Sequence, residues 1–215
     1  MISYFFDHRT EVLNWLGWHA RLSAIPLVLG LIISLPLGWL ANRYRWSYPP
    51  IVSIAGLLYT IPSLALFVLL PGLLKTQILD PNNVIVALTV YTVALLVRVV
   101  ADGLAEVPGD VNQAAIAMGY RGFGRLLKVE LPIAVPVIGA GLRVAAVSNV
   151  SLVSVAALIG VPELGKLFTN GFQDFYQTPI LLGIVLIVLL ALVFDVVIQL
   201  LIRALTPWRR AVQPA

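Results

Sequence analysis

The chain has 215 residues, the size of one domain, of which 60% are apolar and 11% charged; that balance excludes an ordinary water-soluble globule and marks a polytopic membrane protein. With no cysteine, a disulfide framework and a thiolate metal site are both excluded. The net charge of +4 lies in short segments between apolar runs, the pattern of membrane orientation and not of nucleic-acid binding.

Residues 1–19 mix Tyr4, Phe5, Phe6, Trp15 and Trp18 with Asp7, His8, Arg9 and Glu11. The segment lacks the basic start, continuous apolar stretch and small-residue cleavage site of a signal peptide. Its aromatics predict an amphipathic helix lying in the headgroup region outside the bilayer. Residues 20–205 form the membrane domain, and 206–215 a tail. Within that domain five apolar segments are long enough to cross about 30 Å of hydrocarbon: Leu22 to Ala41, Ile51 to Leu74, Val84 to Leu104, Ile133 to Ile159 and Ile180 to Ile202. The fold class is therefore an all-α membrane protein with five spans. Pro26, Pro36 and Pro62 fall inside the first two spans, where neighbouring groups can satisfy the freed carbonyls.

The basic residues fix the orientation. Arg43 and Arg45 lie between spans one and two, Arg121, Arg125 and Lys128 between three and four, and Arg203, Arg209 and Arg210 after span five. With five spans these regions share one side, and the other side holds Arg9, Arg21, Lys75 and Lys166. The positive-inside rule puts the first group and the C-terminus in the cytoplasm and the N-terminus outside. Trp46 and Trp208 suit the inner interface.

Charges inside spans are costly, so each needs a partner. Arg98 and Asp102 are spaced to pair along one helix. Arg143 is expected to pair with Asp102 or Glu106, and Asp195 with Arg203 or a partner subunit. A proton relay would need more carboxylates at depth. Among uncharged polar residues, Tyr59, Thr60 and Ser63 in span two, Tyr91 in span three, and Asn149 and Ser151 in span four are candidates for a substrate path. The serines of Ser148 to Ser154 fit a wet helix face and fit helix packing equally.

The segment from Pro108 to Pro132 is a polar, basic interruption between spans three and four. Asp110 with Gln113 three positions on predicts a capping box that starts a helix at Val111. Gly119 predicts its left-handed end. A second short helix is expected from Phe123 to Glu130, stopped by Pro132. The resulting hairpin displays Ala114, Ala115 and Ala117 with Met118, Tyr120 and Phe123. Gln113-Ala114-Ala115, Gly119 after three further residues, and Val129-x-Leu131-Pro132 after nine more resemble the E-A-A-x3-G-x9-I-x-L-P signature of ABC-importer permeases. Gln113 replaces the usual Glu and Val129 the usual Ile. His19-x-x-Leu22-Ser23, the run Tyr59 to Leu66 and Glu163-Leu164-Gly165 are similar to the subgroup that imports glycine betaine, carnitine or choline.

That resemblance implies a type I ABC importer transmembrane core with a cytoplasmic coupling-helix hairpin at 108–132. In it Gln113, Ala114, Ala115, Met118, Gly119, Tyr120, Phe123, Leu131 and Pro132 would couple to a separate ATP-binding subunit, present in two copies. It also implies an extracytoplasmic solute-binding protein, for which the segment Gly160 to Thr178 is the expected docking surface, and a second permease copy or paralogue. No G-x4-G-K-[ST] loop occurs, so ATP is expected on the partner and no cofactor, metal or catalytic residue on this chain. A permease for methionine or polar amino acids is the alternative, and an ion-coupled secondary transporter fits less well, for want of repeats and midplane carboxylates.

Overall fold

A computed structural model describes residues 2–208, and all regular structure in that range is helical. A short helix α1 (Ile2–Asp7) precedes α2 (Arg9–Arg43), a 35-residue helix that includes the first span. The expected surface segment 1–19 is thus not a separate helix. From Arg9 on it is the first part of α2, and Val12 is buried with Leu164, Leu167 and Leu182 while Tyr4 and Trp15 pack around them. These apolar residues are held by the protein's own far loop.

The second apolar segment is broken. It folds as α3 (Tyr48–Thr60) and α4 (Ser63–Leu74), bent by 101° at Ile61 and Pro62. Proline disfavours the helical region for the residue before it, and Ile61 is extended (φ −65°, ψ 129°). Pro26 and Pro36, by contrast, lie inside an unbroken α2. The remaining long helices are α5 (Pro81–Ala105), α8 (Leu131–Val153, continued by a 3-10 turn to Ile159) and α10 (Gln177–Leu205).

Close contacts give the direction of each helix. A Cβ on Gly30 would clash with Thr92, and one on Gly38 would lie 2.6 Å from Val100 Cβ; both helices advance together, so α2 and α5 are parallel. Gly103 faces Val137 and Gly141 faces Val99, so α8 runs back against α5. Gly139 faces Ile202 and Arg143 pairs with Asp195, so α10 is antiparallel to α8. Because α2 ends beside the end of α5, the chain must return across the bundle to begin α5, and α3–α4 make that crossing. At about 20 and 18 Å neither half crosses about 30 Å alone. The five apolar segments are therefore five crossings, one of them a broken helix. The ends of α2, α5 and α10 and the start of α8 meet at one end of the bundle, which gathers Arg43, Arg45, Arg121, Arg125, Lys128 and Arg203 there; Arg209 and Arg210 lie outside the described residues.

Buried aliphatic side chains of α2, α5 and α8 form the core, including Leu27, Leu96, Ala145 and Ala146. Two polar pairs punctuate the bundle, one buried and one partly exposed. Asn149 Nδ2 donates to Thr92 Oγ1 at 2.9 Å, which in turn donates to the Leu88 carbonyl at 2.7 Å. The guanidinium of Arg143 donates twice to Asp195, at 2.5 and 3.0 Å, and Gln199 adds a third bond to that carboxylate. Arg143 thus pairs with Asp195 and not with Asp102 or Glu106, and Asp195 is satisfied by Arg143 and not by Arg203, since antiparallel α8 and α10 bring the two to one depth. Arg98 does pair with Asp102 (3.3 Å), which also accepts from the Tyr48 hydroxyl at 2.6 Å.

Candidate functional site

The interruption after α5 folds as a short helix α6 (Gly109–Ala117), a turn, and helix α7 (Gly122–Arg125). Its start corrects the expected capping box. Pro108, at φ −57° and ψ 139°, is the N-cap, so Asp110 already lies in the first helical turn, where its carboxylate accepts from the Val111 amide. Negative charge in that turn complements the helix dipole. Gln113 is exposed and makes no reciprocal cap among the described residues.

The end of α6 is as expected. Gly119 has φ +88°, the Tyr120 amide bonds the Ala115 carbonyl at 3.0 Å and the Gly119 amide bonds that of Ile116 at 2.9 Å. This is the paired closure of a Schellman turn. It reverses the chain tightly and leaves Ile116, Met118 and Phe123 exposed at 55, 70 and 65%. Ala114 is exposed too, whereas Ala115, expected on display, is 1% exposed and seats α6 on the bundle. Tyr120 is half-buried.

Pro132 does not stop a second helix. Residues Leu126–Glu130 form a π turn that joins α7 to α8, with the Leu131 amide bonded to the Leu126 carbonyl. Stepping back five residues at Leu131 accommodates Pro132, which has no amide to contribute. The second arm of the hairpin, from Gly122 on, and the span are therefore one continuous helical body, reinforced by a 2.6 Å bond from Arg125 to the buried Glu130. Leu131 packs inward beside the cluster of Leu104, Leu126 and Ala134. Leu131 and Pro132 thus form the root of the hairpin, and the exposed residues its tip. Phe123 also lines an apolar cleft of 360 Å³ with Pro36 and Trp39 of α2.

A second polar locus lies at the break between α3 and α4. Tyr91 is about 15 Å along α5 from its start; its hydroxyl donates to the Ile61 carbonyl that the break frees. The Tyr59 ring meets it edge to face at 5.8 Å and is 44% exposed. Thr60 closes onto the Leu57 carbonyl, and Ser63 is half-buried at the start of α4. The structure thus brings Tyr59, Thr60, Ser63 and Tyr91 together. Asn149 is not with them, being buried against Thr92, and Ser151 lies on an exposed face of α8 with Val144 and Val147.

One node the sequence did not reveal joins two of its motifs. His19 Nδ1 lies 2.8 Å from Glu163 Oε2, and Nε2 lies 2.9 Å from the Val150 carbonyl. Glu163 Oε2 also accepts from the Gly165 amide at 2.6 Å, and Ser23 donates to the His19 carbonyl at 2.8 Å. A Cβ at Gly165 would collide with the Ser154 carbonyl and with Glu163, so only glycine fits. The paired motifs His19-x-x-Leu22-Ser23 and Glu163-Leu164-Gly165 were the available signal, but nothing local showed that they meet. The segment after them carries helix α9 (Lys166–Gln173), with Leu167 buried and Phe172 and Phe175 exposed at 77 and 95%.

The sequence pattern described as "Binding-protein-dependent transport system inner membrane component" matches residues 27–207. The osmoprotectant import permease protein OsmW of Salmonella typhimurium is 34% identical over 96% of this chain and 97% of that one. The glycine betaine/carnitine/choline transport system permease protein OpuCB of Bacillus subtilis is 29% identical over 96% of this chain and 94% of its own. Among solved structures, the MetNI methionine ABC transporter in an inward-facing conformation aligns with a TM-score of 0.80 at 22% identity, covering 93% of this chain and 98% of that one; at that identity the likeness shows a shared fold.

Proposed function

The chain belongs to the family of binding-protein-dependent inner-membrane transport components, and from that premise we propose that it is the permease subunit of an ATP-driven importer of glycine betaine, choline or carnitine-type osmoprotectants. Full-length similarity to osmoprotectant permeases carries the choice of substrate class. Two ATP-binding subunits supply the work, an extracytoplasmic binding protein delivers the osmolyte, and a second copy or relative of this chain completes the membrane unit. The hairpin end of the bundle faces the cytoplasm, as the clustered arginines favour, with the C-terminus on that side and the N-terminus outside.

Force enters at the hairpin tip, where Gln113, Ala114, Met118, Gly119, Tyr120 and Phe123 meet the ATP-binding subunit. Leu131 and Pro132 transmit it, because the π turn carries the helix from Phe123 into the span without a break, and buried Ala115 seats α6 on the bundle. A quaternary ammonium is stabilised by aromatic faces and by carbonyl oxygens. Tyr59, with Thr60 and Ser63 at the broken helix, supplies a weak contact of that kind at mid-depth, and Tyr91 holds the break open from behind. Asn149 acts as a packing clasp instead.

The test is reconstitution of the chain with its ATP-binding subunit in vesicles. Betaine-loaded binding protein is expected to stimulate ATP hydrolysis and uptake, whereas methionine-loaded binding protein is expected to leave both at the basal rate. Stimulation by the methionine-loaded form alone would transfer the assignment to the amino-acid permeases.

A further inference from the structure

Where α2 ends and α3 begins, the hairpin end of the bundle carries a groove of 370 Å³ that differs from the apolar clefts elsewhere between the helices. Its floor is Ala41, Ala101 and Ala105, whose small side chains leave room beside the helices, and its rim includes Asn42, Arg45 and Tyr48. Arg45 is exposed and makes no ion pair among the described residues. Arg43 is exposed close by at the end of α2. Asp102, the carboxylate beside Tyr48, is already engaged by that hydroxyl and by Arg98. Even with exposed Glu106 counted, Arg43, Arg45 and Arg98 leave the surroundings positive.

We propose that this groove seats the phosphodiester headgroup of an anionic phospholipid. Guanidinium groups bind phosphate oxygens through paired charge-assisted bonds, and basic pockets between helices at this interface are suited to anionic headgroups. The immediate surroundings select a lipid over a free anion. Tyr44 and Trp46 in the connecting turn are 48 and 79% exposed, and such side chains partition to the headgroup level of a bilayer. From the groove α3 runs toward mid-depth with Ile54 and Leu57 exposed at 58 and 68%, an apolar track for an acyl chain directly beneath the phosphate. The seat requires only that this end of the bundle meets a lipid leaflet, and it is independent of which solute is carried.

Native mass spectrometry of the purified chain in neutral detergent, titrated with phosphatidylglycerol or phosphatidylcholine, tests this. The wild type is expected to retain phosphatidylglycerol preferentially. Arg45→Gln should weaken that retention about five-fold, the value of one cation at an anionic surface, and leave phosphatidylcholine retention unchanged. Asn42→Ala should weaken it in the same selective way, whereas Arg203→Gln, at the same end but outside the groove, should have no effect. Equal retention of both lipids by the wild type, or unchanged phosphatidylglycerol retention in Arg45→Gln, overturns the proposal. Displacement of phosphatidylglycerol by an equal concentration of inorganic phosphate would assign the groove to a free anion and overturn it as well.

Discussion

His19 and Glu163, 144 positions apart, are linked by a hydrogen bond of 2.8 Å while both side chains are 0% exposed. The second ring nitrogen of His19 faces the Val150 carbonyl at 2.9 Å, so both ring nitrogens are engaged. The pair ties the start of the first span to the loop that carries α9. Glu163→Ala leaves His19 Nδ1 without its partner while Nε2 keeps the Val150 carbonyl, and a buried polar group left unpaired costs about 1–3 kcal/mol. A marked fall in the thermal midpoint of the detergent-solubilised protein is expected, with Glu163→Gln, which keeps a hydrogen-bonding atom in place, intermediate. Equal midpoints for wild type and Glu163→Ala would show that the clasp contributes nothing.

Gly119 sits at φ +88° with nothing within 4 Å of the position a Cβ would take. The cost of Gly119→Ala is therefore conformational alone, about 1–2 kcal/mol for a side chain in the left-handed region. Relaxing that strain opens the turn that presents Met118 and Phe123. Membrane insertion should be normal, ATP hydrolysis by the assembly retained, and uptake reduced. Gly124, which also has open space but no positive φ, is the control, and Gly124→Ala should transport normally. Uptake at the wild-type level in Gly119→Ala would remove the hairpin tip from the coupling path.

Tyr91→Phe removes the hydroxyl that satisfies the Ile61 carbonyl. The bond is partly buried, and losing one of that kind costs about 0.5–1.5 kcal/mol, so the melting midpoint should fall modestly. Pro62→Leu restores the missing amide and favours a straight α3–α4. Spin labels at Ser53 and Leu69 should then report a longer separation than in the 101° bend. An unchanged distance would show that packing on α5, and not the proline, dictates the break.

Arg143 and Asp195 are expected to behave as one unit. Either single alanine variant strands a charge and should lower the yield of folded protein. The double alanine variant and the exchange Arg143→Asp with Asp195→Arg should each recover part of that loss. If the two single losses simply add in the double variant, the pair is not coupled.

Much of this architecture was legible in the chain itself. Hydropathy alone located the five crossings, because a bilayer demands a long apolar run wherever it is crossed. The clustered arginines gathered the correct ends, and Gly119 marked the end of α6, since a left-handed cap is a requirement of one residue on its own backbone. The start of α6 and the role of Pro132 were misread by the same local logic. Pro108 fixed the helix start earlier than Asp110, and a π turn absorbed a proline that would otherwise end a helix.

Sequence by itself determined that this is a membrane bundle with a basic end and a helical hairpin there, because apolar length, clustered charge and a glycine helix end are local properties. Tertiary structure alone decided who pairs with whom: Arg143 with Asp195, Asn149 with Thr92, Tyr91 with the Ile61 carbonyl, His19 with Glu163. Each partner lies tens of residues or more away, and its identity depends on helix direction and depth. In a lipid setting nearly every apolar face is equally acceptable, so the few polar groups must find one another, and only the packed arrangement of helices says where they meet.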